Sequence, residues 1–281
     1  SGVGALAVNG GVRSEDNEQF GRFTTWQLGA SWTVSEATRL RAAAGRGLKE
    51  PTFYEAFATG FVTGNPELQP ERSTSWEVGV EQSLVGDRVA LQATWFDQRL
   101  RDLIQYTGTP PVNGDPNYFN IAGARSRGLE FTAEARIIEP LRLSAEWSWF
   151  DTEVEDAGFD DGPTANFVEG EALLRRPDQQ LRVALDWVGK GPVSGSISAL
   201  RVGERTDRNF TAWPVEAVTL SAYTLVDASL EARVLTARAG RPGFTLFLRG
   251  ENLFDADYVE VFGFQTPGRG VYVGGRVQIG R

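Results

Sequence analysis

The chain of 281 residues contains no cysteine, no histidine and no methionine. Without cysteine there are no disulfides, no thiolate nucleophile and no cysteine-based zinc site. Without histidine, a Ser-His-Asp triad, a two-histidine iron site and an HExxH protease are all excluded. Without methionine, Ser1 is not a start-codon residue and is expected to be a processed end or a cut. Long apolar runs are missing too. None approaches the ~20 residues that a membrane-spanning helix needs. Nor does positive charge gather: the arginines are scattered singly, and a net charge of −9 argues against nucleic acid as a partner. Disorder is excluded as well, because 41% of the residues are hydrophobic and 11% aromatic.

What the chain does have is glycine, 32 of 281 residues, above the ~7% of an average protein, and an alternation of period two that recurs from end to end. Leu141, Leu143, Ala145, Trp147 and Trp149 interleave with Arg142, Ser144, Glu146 and Ser148. Leu181, Val183, Leu185 and Trp187 interleave with Arg182, Ala184 and Asp186. The same holds for Val226–Val234, and similar stretches begin at Leu6, Trp26, Leu40, Trp76, Val89, Leu129, Val193, Phe244 and Val271. The pattern predicts about twelve strands. No helical stripe of useful length competes with it.

The links carry a second pattern. Short ones fall at residues 35–38, 85–87, 137–140, 189–192 and 236–242. Long ones fall at about 13–22, 48–73, 106–118, 151–176, 202–222 and 255–268. Short and long alternate throughout. In an up-and-down sheet this places every long loop at one edge and every tight turn at the other, the asymmetry of outer-membrane barrels. A soluble β-sandwich also alternates, but its strands are usually about 5–6 residues long. Several here read as roughly nine to thirteen, as a tilted crossing requires. Trp26, Trp32, Trp76, Trp95, Trp147, Trp149 and Trp187 sit near the ends of the apolar faces, where an interfacial girdle belongs. The expected fold is all-β, an antiparallel up-and-down transmembrane β-barrel. In it Leu143, Trp147, Leu185, Leu230 and Val273 point to lipid, and Glu146, Arg182, Glu231 and Arg276 point to the lumen.

Four segments, in order, resemble the TonB-dependent outer-membrane receptors: GRGLKEPTFYEAF (45–57) with GNPELQPERSTSWEVGVE (64–81), NIAGARSRGLEFTAEA (120–135), ENLFDADYVE (251–260) and PGRGVYVGGRV (267–277). The resemblance covers essentially the whole chain. It implies the C-terminal part of a 22-stranded barrel, with residues 1–281 as wall and loops. The globular plug and the energy-coupling box of such receptors have no counterpart here, and Arg281 stands where an aromatic residue usually ends them. The same strings have plain structural readings. Pro66 and Pro70 punctuate extended chain, Glu71 and Arg72 can anchor a loop base as a lumen-facing pair, Gly123 and Gly128 can supply bulges or close approach, and Asn252 can bond backbone at a strand end.

The function this implies is a receptor and transporter at the bacterial outer membrane. Its partners would be membrane lipid, a small-molecule or metal-chelate ligand, and an inner-membrane energy-coupling protein reached through the plug. Iron–siderophore complexes are the commonest ligand class of the family, and cobalamin receptors have similar C-terminal strings. Candidate ligand contacts are loop aromatics, which give stacking area with few rotors: Phe53, Tyr54, Phe57, Phe61, Tyr106, Phe210, Trp213, Tyr258 and Phe262. Loop self-packing is the plainer role for each. The reading expects no enzyme, no cofactor and no metal site; the acidic stretch DTEVEDAGFDD (151–161) lacks ordered calcium-loop spacing. A complete twelve-stranded pore and a soluble β-rich binding domain stand as the alternatives.

Overall fold

The computed structural model describes residues 2–106, 115–158, 167–212 and 214–279. Among them, strands β1 (Leu6–Asn17), β2 (Gly21–Thr33), β3 (Thr38–Lys49), β4 (Glu71–Leu84), β5 (Val89–Tyr106), β6 (Tyr118–Ile138), β7 (Leu141–Asp156), β8 (Gln179–Val188) and β9 (Val193–Val202) each pair with the next. After β10 (Arg205–Asn209) and β11 (Glu216–Leu220), which pair only with each other, β12 (Tyr223–Leu235) takes its place beside β9. β13 (Gly243–Glu251) and β14 (Gly270–Gln278) complete one antiparallel sheet of twelve strands. The sheet is open, with β1 and β14 as its edges. One helix, α1 (Phe53–Phe57), lies in the link between β3 and β4.

The register sorts the side chains as the alternation requires. Leu143 stands opposite Leu185, which stands opposite Ile197. Leu230 stands opposite Leu248, and Leu248 opposite Val273. One row runs through Trp149, Leu129, Trp95, Val78, Ala42, Ala30 and Val8, all on the same face. On the other face Glu146 stands opposite Arg182, and Arg276 lies 3.9 Å from Glu231.

No second sheet covers the apolar face among the described residues. Leu230 is 49% exposed and Val273 77%. The buried apolar residues gather instead at the end of the sheet with the long links. Leu68, Ile104, Phe119, Ile121, Ala124 and Val154 are one group there, and Val202, Leu220 and Tyr223 another. This distribution is the reverse of a sandwich, whose core lies between mid-strand faces.

Three expectations need correction. The strands run longer than the apolar alternation: β5 has 18 residues, β6 21 and β7 16. At their far ends one face carries charged residues while Ile104, Phe119, Ile121 and Val154 are buried under the links, so the apolar alternation of the wall breaks while backbone pairing continues. The acidic stretch 151–161 is therefore not simply a loop. Its first six residues complete β7, where Asp151 pairs with Arg127 and Glu155 lies 3.8 Å from Arg99; residues 159–161 fall outside the described residues. Last, Glu71 and Arg72 are not a pair on one face. Being successive strand residues, they point to opposite sides.

Candidate functional site

The long links build two clusters at one end of the sheet. The first rests on Glu71. Its carboxylate accepts the Ile104 N–H at 2.9 Å and lies 3.1 Å from Lys49 Nζ, tying β3, β4 and β5 at the base of the link. Above it α1 begins with a capping box. The Thr52 hydroxyl accepts the Glu55 N–H at 3.2 Å, and the Glu55 carboxylate accepts the Thr52 N–H at 2.7 Å. The link then folds back so closely that a side chain at Gly64 would start 2.5 Å from the Ala58 nitrogen. From there it is laced to the start of β6. Thr63 N–H donates to Asn117 Oδ1 at 2.8 Å, Asn65 Nδ2 to the Tyr118 carbonyl at 2.9 Å, and Gln69 N–H to Asn120 Oδ1 at 2.9 Å.

This lacing sets Tyr54 of α1 against Tyr118 (centroids 6.2 Å, edge-on), and Tyr106 at the end of β5 against the same ring (5.4 Å). The structure thus joins two of the candidate aromatics through Tyr118, a residue the sequence reading did not single out. Phe53 and Phe57 pair at 6.1 Å on α1, and Phe61 is fully exposed beyond it.

The second cluster centres on the β10–β11 hairpin and is held by charge. Asp207 is fully buried. It accepts Arg175 Nε at 2.9 Å, the Arg208 N–H at 2.8 Å and the Phe262 N–H at 2.8 Å. One carboxylate therefore joins the hairpin to the link before β8 and to the link before β14. Arg208, also buried, reaches Glu171 at 3.1 Å, and its Nε has no hydrogen-bond partner. Arg205 donates to the Val259 carbonyl and lies 5.1 Å above the Tyr223 ring, a cation–π distance. Tyr223 stacks at 4.7 Å on Tyr258. Burial, reinforced by the negative charge of Glu260, pushes the Tyr258 phenol above its ordinary pKa of 10.0. At neutral pH the ring is an uncharged hydrogen-bonding aromatic. Tyr258 and Phe262 line a 350 Å³ hollow with Leu220 and Asp257. Phe210 is exposed at the tip of the hairpin, and Trp213 lies outside the described residues.

Arg175, Arg205, Asp207 and Arg208 went unnoticed in the sequence. The signal was the run ERTDR (204–208), four charges in a link where solvated serine or glycine would serve. Asn252 does close the link after β13 as expected. Its φ is 46°, its Oδ1 accepts the Ala256 N–H at 2.8 Å, and its Nδ2 donates to the Ala256 carbonyl at 2.9 Å.

An up-and-down sheet with one apolar and one polar face, tight turns at one end and laced aromatic links at the other, defines a β-barrel wall of the outer-membrane type. Residues 2–253 match the TonB dependent receptor-like, beta-barrel family, and the chain belongs to it. That is a family of transport receptors, not enzymes. Solved structures agree in fold. The FrpB iron transporter of Neisseria meningitidis superposes with a TM-score of 0.73 at 16% identity, over 99% of this chain and 43% of its own. The siderophore receptor PirA of Acinetobacter baumannii gives 0.73 at 16%, over 97% and 43%. The ferric enterobactin receptor PfeA of Pseudomonas aeruginosa gives 0.73 at 19%, over 97% and 43%. Across the structural relatives this chain spans between 32% and 43% of their length.

Proposed function

We propose that residues 1–281 form wall and outer links of an outer-membrane receptor that takes up an iron–siderophore chelate, drawing energy from an inner-membrane partner through a plug. The observation that carries this reading is the aromatic cluster Tyr54–Tyr118–Tyr106, held rigidly at the long-link end by capping and amide lacing. Chelates whose donor groups carry flat, electron-rich rings bind well to such surfaces, because stacked rings contribute ~0.5–1.5 kcal/mol each beyond their area. Phe53, Phe57, Phe61, Phe210, Tyr258 and Phe262 are proposed as secondary contacts around this cluster and that of the β10–β11 hairpin, and Trp213, outside the described residues, as a further ligand contact. The neighbouring structures named for their ligands are iron and ferric-siderophore receptors, which favours iron chelates over cobalamin.

The two alternatives are less well supported. A soluble domain would bury Leu230, Leu248 and Val273, and they are open. A complete twelve-stranded pore needs β1 to pair with β14, and no such pairing occurs among the described residues.

The test uses the full-length receptor in detergent, with ferric enterobactin as probe and tryptophan quenching as readout. Tyr54→Ala with Tyr106→Ala should weaken binding at least tenfold, about 1.4 kcal/mol. Binding that is unaltered in the double variant, or no micromolar binding of any ferric chelate by the parent, would overturn the ligand assignment.

A further inference from the structure

The 350 Å³ hollow beside the β10–β11 hairpin has apolar and aromatic walls and a single charge. Leu220, Ala222, Val259 and the rings of Tyr258 and Phe262 line it, and Asp257 is the one charged side chain in the lining. The backbone that carries these residues is fixed at three points between 258 and 262. The Tyr258 carbonyl accepts the Thr266 hydroxyl at 2.5 Å, the Val259 carbonyl accepts Arg205, and the Phe262 N–H donates to the buried Asp207 at 2.8 Å. Walls held in this way need little ordering when a ligand arrives.

The neighbouring carboxylates are occupied, and that of Asp257 is not. Asp207 has three donors, Asp255 accepts the Arg269 N–H at 2.8 Å, and Glu260 lies 3.5 Å from the Tyr223 hydroxyl. Asp257 is exposed and has neither an ion pair nor a hydrogen bond among the described residues. Arg205 does not serve it. That guanidinium is buried, donates to the Gly203 and Val259 carbonyls, and lies 5.1 Å above the Tyr223 ring. An open carboxylate beside two rings, in a hollow otherwise apolar, is complementary to a cation on an apolar body. Ring faces attract the cation, and the carboxylate gives it a charge-assisted hydrogen bond. An anion would be repelled by both.

We propose that this hollow binds an organic ammonium, a protonated primary amine on an apolar stem, with the ammonium on Asp257 and the stem against Tyr258, Phe262 and Leu220. The space equals that of roughly a dozen water molecules, enough for one ring and a short chain. β6 and β12 stand four positions apart in the sheet, about 19 Å, so such a stem does not reach the Tyr54–Tyr118–Tyr106 centre. The site is thus separate from that centre and goes beyond the ferric-chelate reading. A free amine and the amine-bearing arm of a larger ligand present the same chemistry, and the experiment separates them.

The experiment is equilibrium dialysis of the full-length receptor in detergent at neutral pH, with labelled phenethylammonium as probe. The comparison ligand is 3-phenylpropionate, the same ring and chain ending in a carboxylate. The parent should hold the ammonium about tenfold more tightly. Asp257→Asn should abolish that preference and Asp257→Glu should retain it. Glu36→Gln, an equal charge loss in a tight turn at the other end of the sheet, should leave binding unchanged, with circular dichroism confirming the strand content of all three variants. No preference in the parent, or a preference surviving Asp257→Asn, would overturn the proposal. A ferric tris-hydroxamate ending in a primary ammonium, and the same chelate N-acetylated, then serve as competitors. Displacement by the first alone assigns the ammonium to a chelate arm, and displacement by neither assigns it to a free amine. Displacement by the acetylated form would show that the hollow does not read the charge and would overturn the proposal. Ferric enterobactin enters none of these readouts, so failure here leaves the ferric-chelate reading standing, and the reverse.

Discussion

Gly128 shows how much one missing side chain decides. It faces the polar side of β6, directly opposite Phe96 on β5 and Phe150 on β7. With no Cβ between them, those two rings meet at 5.9 Å across the glycine, the arrangement that covers strand glycines with an aromatic neighbour. A methyl group there would start 2.2 Å from the Trp149 carbonyl oxygen and 2.8 Å from Phe96 Cζ. The ring can turn away, but the ladder carbonyl cannot. Gly128→Ala should therefore cost ~1–3 kcal/mol, measured as a lower urea midpoint for the receptor in lipid vesicles. An unchanged midpoint would mean that β6 and β7 shift at no cost. The sequence marked Gly128 as a place of close approach but did not show what approaches, because Phe96 and Phe150 are 32 and 22 positions away.

At the scale of the element, the strands were legible wherever one face is apolar. β7 and β8 declare themselves through Leu and Trp at every second position, and the pairing of Leu143 with Leu185 follows the short link between them. The turn at Val85–Gly86–Asp87 was legible too, although all three residues adopt positive φ (55°, 61° and 62°), an unusual demand on valine. What escaped were the long-link ends of β5 and β6, the β10–β11 hairpin and α1. The hairpin strands have five residues each, too few for a period to establish itself. α1 is a single turn, yet Thr52 and Glu55 spell a capping box that a search for caps would have found. The face assignment is open to a direct check. Leu143→Arg places a charge on the apolar face of β7 and should cost ~2–4 kcal/mol if near the midplane, whereas Ser144→Arg on the polar face should cost much less. Equal losses in vesicle unfolding would refute the lipid-facing role of Leu143.

For the whole molecule the open sheet matters most. β1 and β14 each present one row of N–H and C=O groups to no neighbour, and such edges are not tolerated in hydrocarbon. The 281-residue chain by itself should therefore associate edge to edge or leak when reconstituted, giving a polydisperse profile in detergent chromatography. A stable monomeric pore with uniform conductance in planar bilayers would favour the complete twelve-stranded barrel instead. The site was less legible than the wall for the same reason of scale. Tyr54, Tyr106 and Tyr118 come from α1, β5 and β6, and Asp207 collects donors from three segments. No local pattern reports such convergence.

The single departure from sequential pairing lies between β9 and β12, and it bears on the order in which the wall is assembled. Every other join in the sheet links strands adjacent in the chain, so most contacts form after closing a short segment or one long link. Joining β9 to β12 spans the 20 residues from 203 to 222. The β10–β11 hairpin brings Arg205 beside Leu220 and reduces that span to about five steps, two halvings of the effective loop. Since each halving recovers ~0.6 kcal/mol of closure entropy, the hairpin lowers the cost of that join by ~1.2 kcal/mol. The segment whose buried charges tie the links before β8 and β14 together in the finished wall is thus also the splint that holds the ninth and tenth sheet positions together while the wall is built.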